Sequence, residues 1–220
     1  MKVKSAIKTL ASFPGLGVHS TAEVAYPFGQ VFGKGVNLYK HGFDGVDALV
    51  IWGGADISPS LYKEPPITGS GPEDPSRRDV IEWTAVSEAI KQNILIIGVC
   101  RGAQLLCAHA GGSLIQDVSG HTNTEHFVDT YGGTLLKVSS DHHQMMYPFK
   151  VKHEMLAWCS KPLSTEYKSG VAKPTPEVEP EVVYFPEIKG LAIQCHPEWH
   201  TTSAFNEWMF NEIEKRLCKC

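Results

Sequence analysis

The sequence lacks the features that would assign the chain to a membrane, to nucleic acid or to secretion. No apolar run in its 220 residues approaches the roughly 20 residues that span a bilayer. The apolar part of residues 1–7 is too short for a secretory signal. Net charge is −4, from 20 basic and 24 acidic residues, so no basic excess favours nucleic acid or anionic lipid. We therefore expect a cytoplasmic chain with neither partner.

Paired cysteine motifs are missing as well. None of the six cysteines has the CxxC spacing of zinc sites, which favours a reduced setting. Cys107, Cys159 and Cys195 are expected to be small buried hydrophobic residues. Cys218 and Cys220, near the carboxyl terminus, receive no predicted role.

Histidines are plentiful, but no metal-binding spacing accompanies them. The ten histidines include no HExxH motif. His121, His126, His142 and His143 lie fairly close in sequence and are predicted to be loop or pocket residues. We therefore expect neither a metal nor an organic cofactor.

Apolar strand patterns alternate with amphipathic helix patterns along the chain. Hydrophobic residues make up 42% of the sequence, enough for a substantial core. Strands are predicted at 48–52, 94–99 and 191–195, helices at 76–92, 102–110 and 202–217, surface loops at 58–75 and 160–180, and shorter strands and loops through 113–185. This alternation indicates an α/β fold whose parallel sheet is covered on both faces. Because no repeat or interdomain linker is present, residues 1–220 are predicted to form one domain.

A Gly-x-Cys-x-Gly motif joins the most apolar strand to a helix. Cys100 stands between Gly98 and Gly102, in the pattern that places a nucleophile on a sharp strand-to-helix turn. The glycines leave room for the tightly folded backbone. The free N–H groups and dipole at a helix amino terminus favour a thiolate. The alternative is a buried structural cysteine beside glycines that serve only the turn.

A His-Pro-Glu motif follows a second buried strand. Ligands bind outside the carboxyl ends of strands in doubly wound sheets, and Cys100 and His196 both lie just beyond such ends. Pro197 restricts His196 to an extended backbone, which keeps the ring within reach of Glu198. Cys100, His196 and Glu198 are therefore predicted to be nucleophile, base and orienter. Alone, the motif would be read as a solvent-facing turn.

Several further motifs occur in an order that resembles a known family. They are the stretches 53–62, 78–82, 98–104, 111–117, 142–144 and 196–198, which together cover the chain from about residue 43 to 200. The sequence resembles class I glutamine amidotransferase-like domains and, more narrowly, the γ-glutamyl-γ-aminobutyrate hydrolase family, also called peptidase C26. Asp141 departs from this pattern, which often has a small hydroxyl residue before the His-His-Gln run.

The resemblance implies a fold, an intermediate and further site residues. It implies a flavodoxin-like three-layer sandwich with a mostly parallel central sheet, and a γ-glutamyl thioester on Cys100. It also implies an oxyanion hole from the backbone of Gly53, Gly54 and Arg101, whose donors would each contribute on the order of 3 kcal/mol. Residues implied to bind the glutamyl group are Gln104, His142, His143 and Gln144.

Three functional hypotheses remain open at this point. The favoured one is a hydrolase that acts alone on glutamine or γ-glutamyl amines. The second is a glutaminase subunit that delivers ammonia to a synthetase or amidoligase partner. The third is a catalytically silent scaffold, which the intact Cys100, His196 and Glu198 set argues against. A homodimer is compatible with each of these.

Overall fold

A computed structural model describes residues 9–13, 27–200 and 203–217, and the structural statements below refer to these residues. The strands are β1 Thr9–Ser12, β2 Lys34–Asn37, β3 Ala48–Ile51, β4 Leu95–Val99, β5 Ser113–Ile115, β6 Asp117–Val118, β7 Thr124–Thr130, β8 Leu135–Ser140, β9 Met145–Tyr147, β10 Glu154–Cys159, β11 Tyr167–Lys168, β12 Pro180–Phe185 and β13 Gly190–Ile193. The α-helices are α1 Phe28–Val31, α2 Leu38–His41, α3 Arg77–Lys91, α4 Arg101–His109 and α5 Ala204–Leu217. Two 3-10 helices span Pro59–Tyr62 and Pro186–Ile188.

Nine strands form the central sheet in the order β2-β1-β3-β4-β13-β12-β10-β7-β8. The first five pair in parallel. Numbered along the chain, their order is 2-1-3-4-5, which is the flavodoxin-like order. The predicted α/β class and its parallel core are confirmed. The carboxyl ends of β3, β4 and β13 meet at one edge, which brings the predicted site residues together.

An antiparallel half extends the sheet beyond β13. The strands β12, β10, β7 and β8 continue it through antiparallel pairings. Strand β7 alternates buried and more exposed positions, as expected where one face of an antiparallel sheet meets water. The sequence predicted short strands in this region but not their place in the central sheet.

The core lies in two clusters, one on each face of the sheet. In β4, Ile97 faces one cluster and Ile96 the other, and β3 alternates likewise. Helix α5 covers the first face with Phe205, Met209 and Ile213, the stripe predicted from the sequence. Helices α3 and α4 cover the second face. The three layers predicted for the fold are therefore present.

Three cysteines lie in this interior, as predicted. Cys107, Cys159 and Cys195 are free thiols and are buried. Burial raises the pKa of the Cys107 and Cys159 thiols to about 12, and it raises the pKa of Cys195 well above its usual value. Such thiols are poor nucleophiles, because the attacking species is the thiolate.

Helix α3 begins where the sequence predicts a helix. The Ser76 hydroxyl accepts a hydrogen bond from the Asp79 backbone N–H, and the Asp79 carboxylate accepts one from the Ser76 N–H. This reciprocal capping box fixes the first turn. Asp79 is fully buried, so the cap also brings a carboxylate into the interior.

The segment 160–180 is mostly exposed or partly exposed, as predicted, but its carboxyl-terminal end is buried. Its residue Glu179 is fully buried and accepts hydrogen bonds from the backbone N–H groups of Leu163 and Ser164. The carboxylate therefore holds the connection against the sheet. Among the helices described, none is long and apolar enough to cross a bilayer.

Candidate active site

Cys100 occupies a strained turn between β4 and α4. Its φ is 51° and its ψ is −107°, a conformation that non-glycine residues rarely adopt. The turn is held by hydrogen bonds from the Cys100 N–H to the Ile193 carbonyl at 2.7 Å and from the Gln104 N–H to the Cys100 carbonyl at 3.1 Å. The first bond ties the elbow to the neighbouring strand β13.

The glycines that flank Cys100 permit close backbone contacts. A Cβ atom on Gly102 would overlap the Ile51 carbonyl at the end of β3. A Cβ atom on Gly98 would overlap the Gly102 carbonyl within the elbow itself. The spacing recognised in the sequence therefore reflects two contacts that only glycine allows.

His196 is oriented by Glu198 and by its own backbone. The distance from His196 Nδ1 to Glu198 Oε1 is 2.7 Å, and both side chains are buried. The His196 N–H donates to the Ser139 carbonyl, and the Ser139 hydroxyl donates to the His196 carbonyl. The ring stacks on Trp199, with centroids 4.2 Å apart and planes 7° from parallel. The imidazole is thereby held at Nδ1 and on one ring face, and its backbone is fixed on both the N–H and the carbonyl side.

Cys100 and His196 lie side by side although 96 positions separate them (196 − 100). A Cβ placed on Gly53 would be 3.4 Å from both Cys100 Cβ and His196 Cε1. Burial lowers the pKa of His196, but interactions with the Cys100 thiol and the Glu198 carboxylate outweigh burial and raise it to about 10. The structure thus brings together sulfur, imidazole and carboxylate in the order predicted from the sequence.

Arg78 holds the loop that follows β3. Its Nη2 donates to the carbonyl oxygens of Trp52 at 2.8 Å and Gly53 at 3.0 Å. In a trans peptide the N–H points opposite to the C=O, so the N–H groups of Gly53 and Gly54 are directed away from Arg78. This fixes the orientation of the two predicted oxyanion donors on the loop beside Cys100.

Arg101 places its side chain beneath the elbow and not in the site. The buried guanidinium pairs with Asp79 and with Glu82 on α3. Glu82 also accepts from Arg78 Nε at 3.0 Å. Only the Arg101 backbone N–H is therefore available for the predicted oxyanion role. The motif at 78–82 is visible in the sequence, but its contact with the elbow joins segments about 20 residues apart and does not follow from local spacing.

A cavity of about 700 Å³ opens beside the nucleophile. Among the predicted site residues, Gly54, His142 and His143 line it, and Asp56 and Asp141 contribute carboxylates. The Cys100 thiol lies 3.9 Å from the Asp141 carbonyl, which places the sulfur next to the cavity wall.

The two predicted pocket histidines differ in what they contact. His143 is half exposed, with Nε2 2.8 Å from Asp56 Oδ2, and this hydrogen bond raises its pKa. His142 is buried, with Nδ1 donating to the Gln144 carbonyl and Nε2 facing Glu181 at 4.0 Å. Burial lowers the pKa of His142 well below its usual value. Both ring nitrogens of His142 therefore face protein groups, the Gln144 carbonyl and the Glu181 carboxylate.

The predicted substrate ligands Gln104 and Gln144 are not among the residues that line the cavity. Gln104 Nε2 donates to the Gln144 carbonyl at 2.9 Å, and Gln144 Nε2 donates to the Ser70 carbonyl at 3.1 Å. Both side chains are buried, and their hydrogen bonds fix the 142–144 loop to α4 and to the segment around Ser70. Their predicted contact with substrate stays a prediction.

The fold and the elbow define the class of this protein as class I glutamine amidotransferase-like. The solved structure of a glutamine amidotransferase from Thermotoga maritima matches the fold with a TM-score of 0.57 and 15% identity, covering 96% of this chain and 87% of that one. The sequence profile of the peptidase C26 family matches residues 25–157. The chain belongs to the peptidase C26 family, whose members are glutamine amidotransferase-like hydrolases.

Curated relatives agree with this assignment. Protein NtpR of Enterococcus hirae is 31% identical over 76% of this chain and 74% of its own length. A glutamine amidotransferase-like protein of Lactococcus lactis subsp. cremoris, the YvdE homolog, is 49% identical over 34% of this chain and 39% of its own length. The carbamoyl phosphate synthase small chain of Xanthomonas axonopodis pv. citri is 26% identical over 60% of this chain and 37% of its own length. The last two matches thus span well under half of those relatives.

Replacing Gly102 with alanine should damage the elbow. Because the new methyl group would overlap the Ile51 carbonyl, we expect Gly102→Ala to lower the free energy of unfolding by about 1–3 kcal/mol. The control is Gly132→Ala, where the Cβ would meet only Thr130 Oγ1 at 3.9 Å. Chemical denaturation measures both variants, and equal stabilities would contradict the close contact.

Replacing Glu198 with glutamine should lower the pKa of His196. The wild-type ring is expected to titrate near 10, and Glu198→Gln removes one of the charges that raise this value. Because the folded pKa lies above the ordinary value near 6.5, the stabilisation from His196 is fully present below pH ~6.5 and is lost as pH rises toward 10. Histidine NMR titration of both proteins gives the comparison. Identical titration curves would mean that the carboxylate does not act on the ring.

Proposed function

We propose that the chain is a cysteine-dependent hydrolase of γ-glutamyl amide bonds, with Cys100 as nucleophile, His196 as acid and base, and Glu198 as the group that orients the ring. One observation carries the proposal. The His196 imidazole is hydrogen-bonded to the Glu198 carboxylate and lies beside Cys100. The Cys100 sulfur is 3.9 Å from the carbonyl of Asp141, which lines a cavity of about 700 Å³. Family membership supports amide hydrolysis in general, and the site supports this particular route.

The reaction begins with attack of the Cys100 thiolate on the γ-carbonyl carbon. The oxyanion that forms accepts hydrogen bonds from the backbone of Gly53 or Gly54 and of Arg101. Protonated His196 then gives its proton to the leaving nitrogen, the C–N bond breaks, and a γ-glutamyl thioester remains on Cys100. The neutral imidazole next takes a proton from water, which attacks the thioester and releases the γ-carboxylic acid and the thiolate. The acid then loses its proton to solvent.

Acidic groups in the cavity favour a substrate that carries an α-ammonium group. Asp56 and Asp141 both line the cavity, and Asp141 belongs to the segment beside the nucleophile. Hydrogen bonds between charged groups contribute about 1.5–3 kcal/mol when water is partly excluded. We assign these carboxylates to the α-ammonium of the glutamyl group. Asp141 stands where relatives often carry a small hydroxyl residue, so it is the better test of specificity.

A second candidate function is a glutaminase subunit that passes ammonia to a synthetase. It is favoured by the similarity to a carbamoyl phosphate synthase small chain. Assays of glutamine and γ-glutamyl amines with the isolated chain distinguish the two functions. Rapid turnover of γ-glutamyl amines without a partner supports the hydrolase. Negligible turnover of every substrate, together with a Cys100 that is alkylated by a glutamine-like diazoketone, supports the ammonia-delivering role.

Loss of the Cys100 sulfur should abolish turnover. We expect Cys100→Ala to lower kcat by at least about a thousandfold, because the covalent route requires the nucleophile. The matched control is Cys107→Ala on the same helix, whose buried thiol is remote from the proposed chemistry and should leave kcat near the wild-type value. Mass spectrometry of rapidly quenched wild-type enzyme should detect the γ-glutamyl adduct on Cys100. Near-normal turnover by Cys100→Ala would refute the mechanism.

Removal of the Asp141 charge should weaken selection for the α-ammonium group. We compare a γ-glutamyl amide with the corresponding glutaryl amide, which lacks that group. The wild type should prefer the γ-glutamyl amide by about 10–100-fold in kcat/KM, and Asp141→Asn should remove most of this preference.

Asparagine still accepts the hydrogen bond that the Asn123 N–H donates to Asp141 Oδ1, so the exchange changes charge with little change in shape. Asp129→Asn on strand β7 is the control and should keep the wild-type preference. An unchanged preference in Asp141→Asn would assign the ammonium group to another residue.

A further inference from the structure

Five titratable side chains form a buried cluster under the cavity wall. His121 follows β6, His142 lies between β8 and β9, and Glu181 belongs to β12. His126 on β7 and Glu179 adjoin them. All five are buried, and the rings of His121 and His142 stack with centroids 4.6 Å apart. The proposed hydrolytic reaction gives these groups no chemical step.

Each of three members uses one polar atom in the surrounding protein and leaves another without a partner. His121 Nε2 is 3.1 Å from Glu179 Oε2, His142 Nδ1 donates to the Gln144 carbonyl, and Glu181 Oε1 is 2.9 Å from His126 Nε2. In these three residues, the buried atoms His121 Nδ1, His142 Nε2 and Glu181 Oε2 have no hydrogen-bond partner among the described residues. Such atoms are costly to bury unless something binds them.

The two unpartnered nitrogens face the Glu181 carboxylate on the side of Oε1, the oxygen that also contacts His126. Glu181 Oε1 is 3.7 Å from His121 Nδ1 and 4.0 Å from His142 Nε2, and one donor atom from each residue lies within 4.8 Å of the other two. Tetrahedral zinc, with bonds of about 2.0–2.1 Å, separates its ligand atoms by roughly 3.3–3.4 Å. Coordination would therefore move each donor atom by less than about 1 Å and would turn the stacked rings of His121 and His142 so that both lone pairs point at the ion.

We propose that His121, His142 and Glu181 form a binding site for a divalent transition metal, with Zn²⁺ as the favoured ion. Two imidazoles and one carboxylate suit zinc, whereas Mg²⁺ and Ca²⁺ prefer oxygen ligands alone. Three protein ligands leave one position for water. A dication also balances the two buried carboxylates Glu179 and Glu181.

The outer contacts have the pattern that supports metal ligands. Ligating imidazoles commonly donate their second N–H to a carboxylate or a backbone carbonyl, as His121 does to Glu179 and His142 to Gln144. Ligating carboxylates are hydrogen-bonded in turn, as Glu181 is by His126. These partners fix which nitrogen of each ring is free to bind an ion.

The metal would fasten the loop beside the nucleophile to the sheet. The His142 N–H and the Ser140 hydroxyl both donate to the His121 carbonyl, so the two histidine segments already move together. Glu181 is the anchor, because β12 pairs with β13 next to the elbow strand β4. The proposed role of the metal is thus structural. The metal-site proposal can be tested independently of the proposed hydrolytic reaction.

The test measures metal bound to the purified full chain. Protein stripped with a chelator is incubated with Zn²⁺, passed through a desalting column and analysed by elemental mass spectrometry. We expect about one zinc per chain in the wild type and below about 0.1 in His121→Asn and Glu181→Gln. The matched control is His109→Asn, which changes a histidine near Ser87 outside the cluster and should retain zinc.

Three results would overturn the site, and the first two concern the proposed ligands themselves. One is substoichiometric zinc in the folded wild type, and the other is full retention in folded His121→Asn and Glu181→Gln. Loss of zinc in His143→Asn, which removes the half-exposed ring between Asp56 and Asp117, would also overturn it by assigning the ion to the cavity mouth.

If the variants fail to fold, cobalt spectroscopy of the wild type tests whether the metal site exists. One equivalent of Co²⁺ bound by three protein ligands and one water should give visible absorption well above that of aqueous Co²⁺. The bands should vanish on addition of one equivalent of Zn²⁺. A spectrum that stays at the level of the free ion would reject the proposal.

Discussion

The geometry of the site depends on four charged side chains under the nucleophile elbow, three of them buried and the fourth, Arg78, partly exposed. Arg101 on α4 pairs with Asp79 and Glu82 on α3, and Glu82 in turn pairs with Arg78. Buried ion pairs often add little net stability, because each charge loses its hydration, but removal of one member is costly. What this network adds is position. The network joins helix α4, which follows Cys100, to the loop that carries the proposed oxyanion donors, because Arg78 donates hydrogen bonds to the carbonyls of that loop.

The parallel and antiparallel halves of the sheet contribute different parts of the site. The parallel half supplies the strand ends after which Cys100 and His196 emerge. The antiparallel half supplies the wall opposite them: Ser139 on β8 fixes the backbone of His196, and Glu181 on β12 lies under the cavity. A flavodoxin-like core alone would present the nucleophile in an open crevice. The extension turns that crevice into a cavity with a buried polar floor.

Sequence reasoning succeeded where the determinants are close together along the chain. The Gly98–Gly102 elbow, the His196-Pro197-Glu198 motif and the stripe on α5 each lie within one turn or one helix, and their spacing encodes their geometry. It did not predict the strand pairings beyond β13 or the burial of Glu179. Those features arise from contacts between distant segments, such as His121 with Glu179, 58 positions apart. For the same reason the sequence predicts loop or pocket residues for the histidines from 121 to 143, whereas tertiary contacts bring three of them together around two carboxylates.

The stack of Trp199 on His196 has a consequence for how the enzyme can be observed. An indole ring 4.2 Å from an imidazole, in nearly parallel planes, responds to whether that imidazole carries a charge. The chain has five tryptophans, and Trp199 combines this stacking with 39% exposure to solvent. Its fluorescence therefore provides an intrinsic optical signal of the protonation state of the ring. Substitution of the other four by phenylalanine would isolate that signal and allow proton transfer to be followed on the timescale of a single turnover, without an added dye.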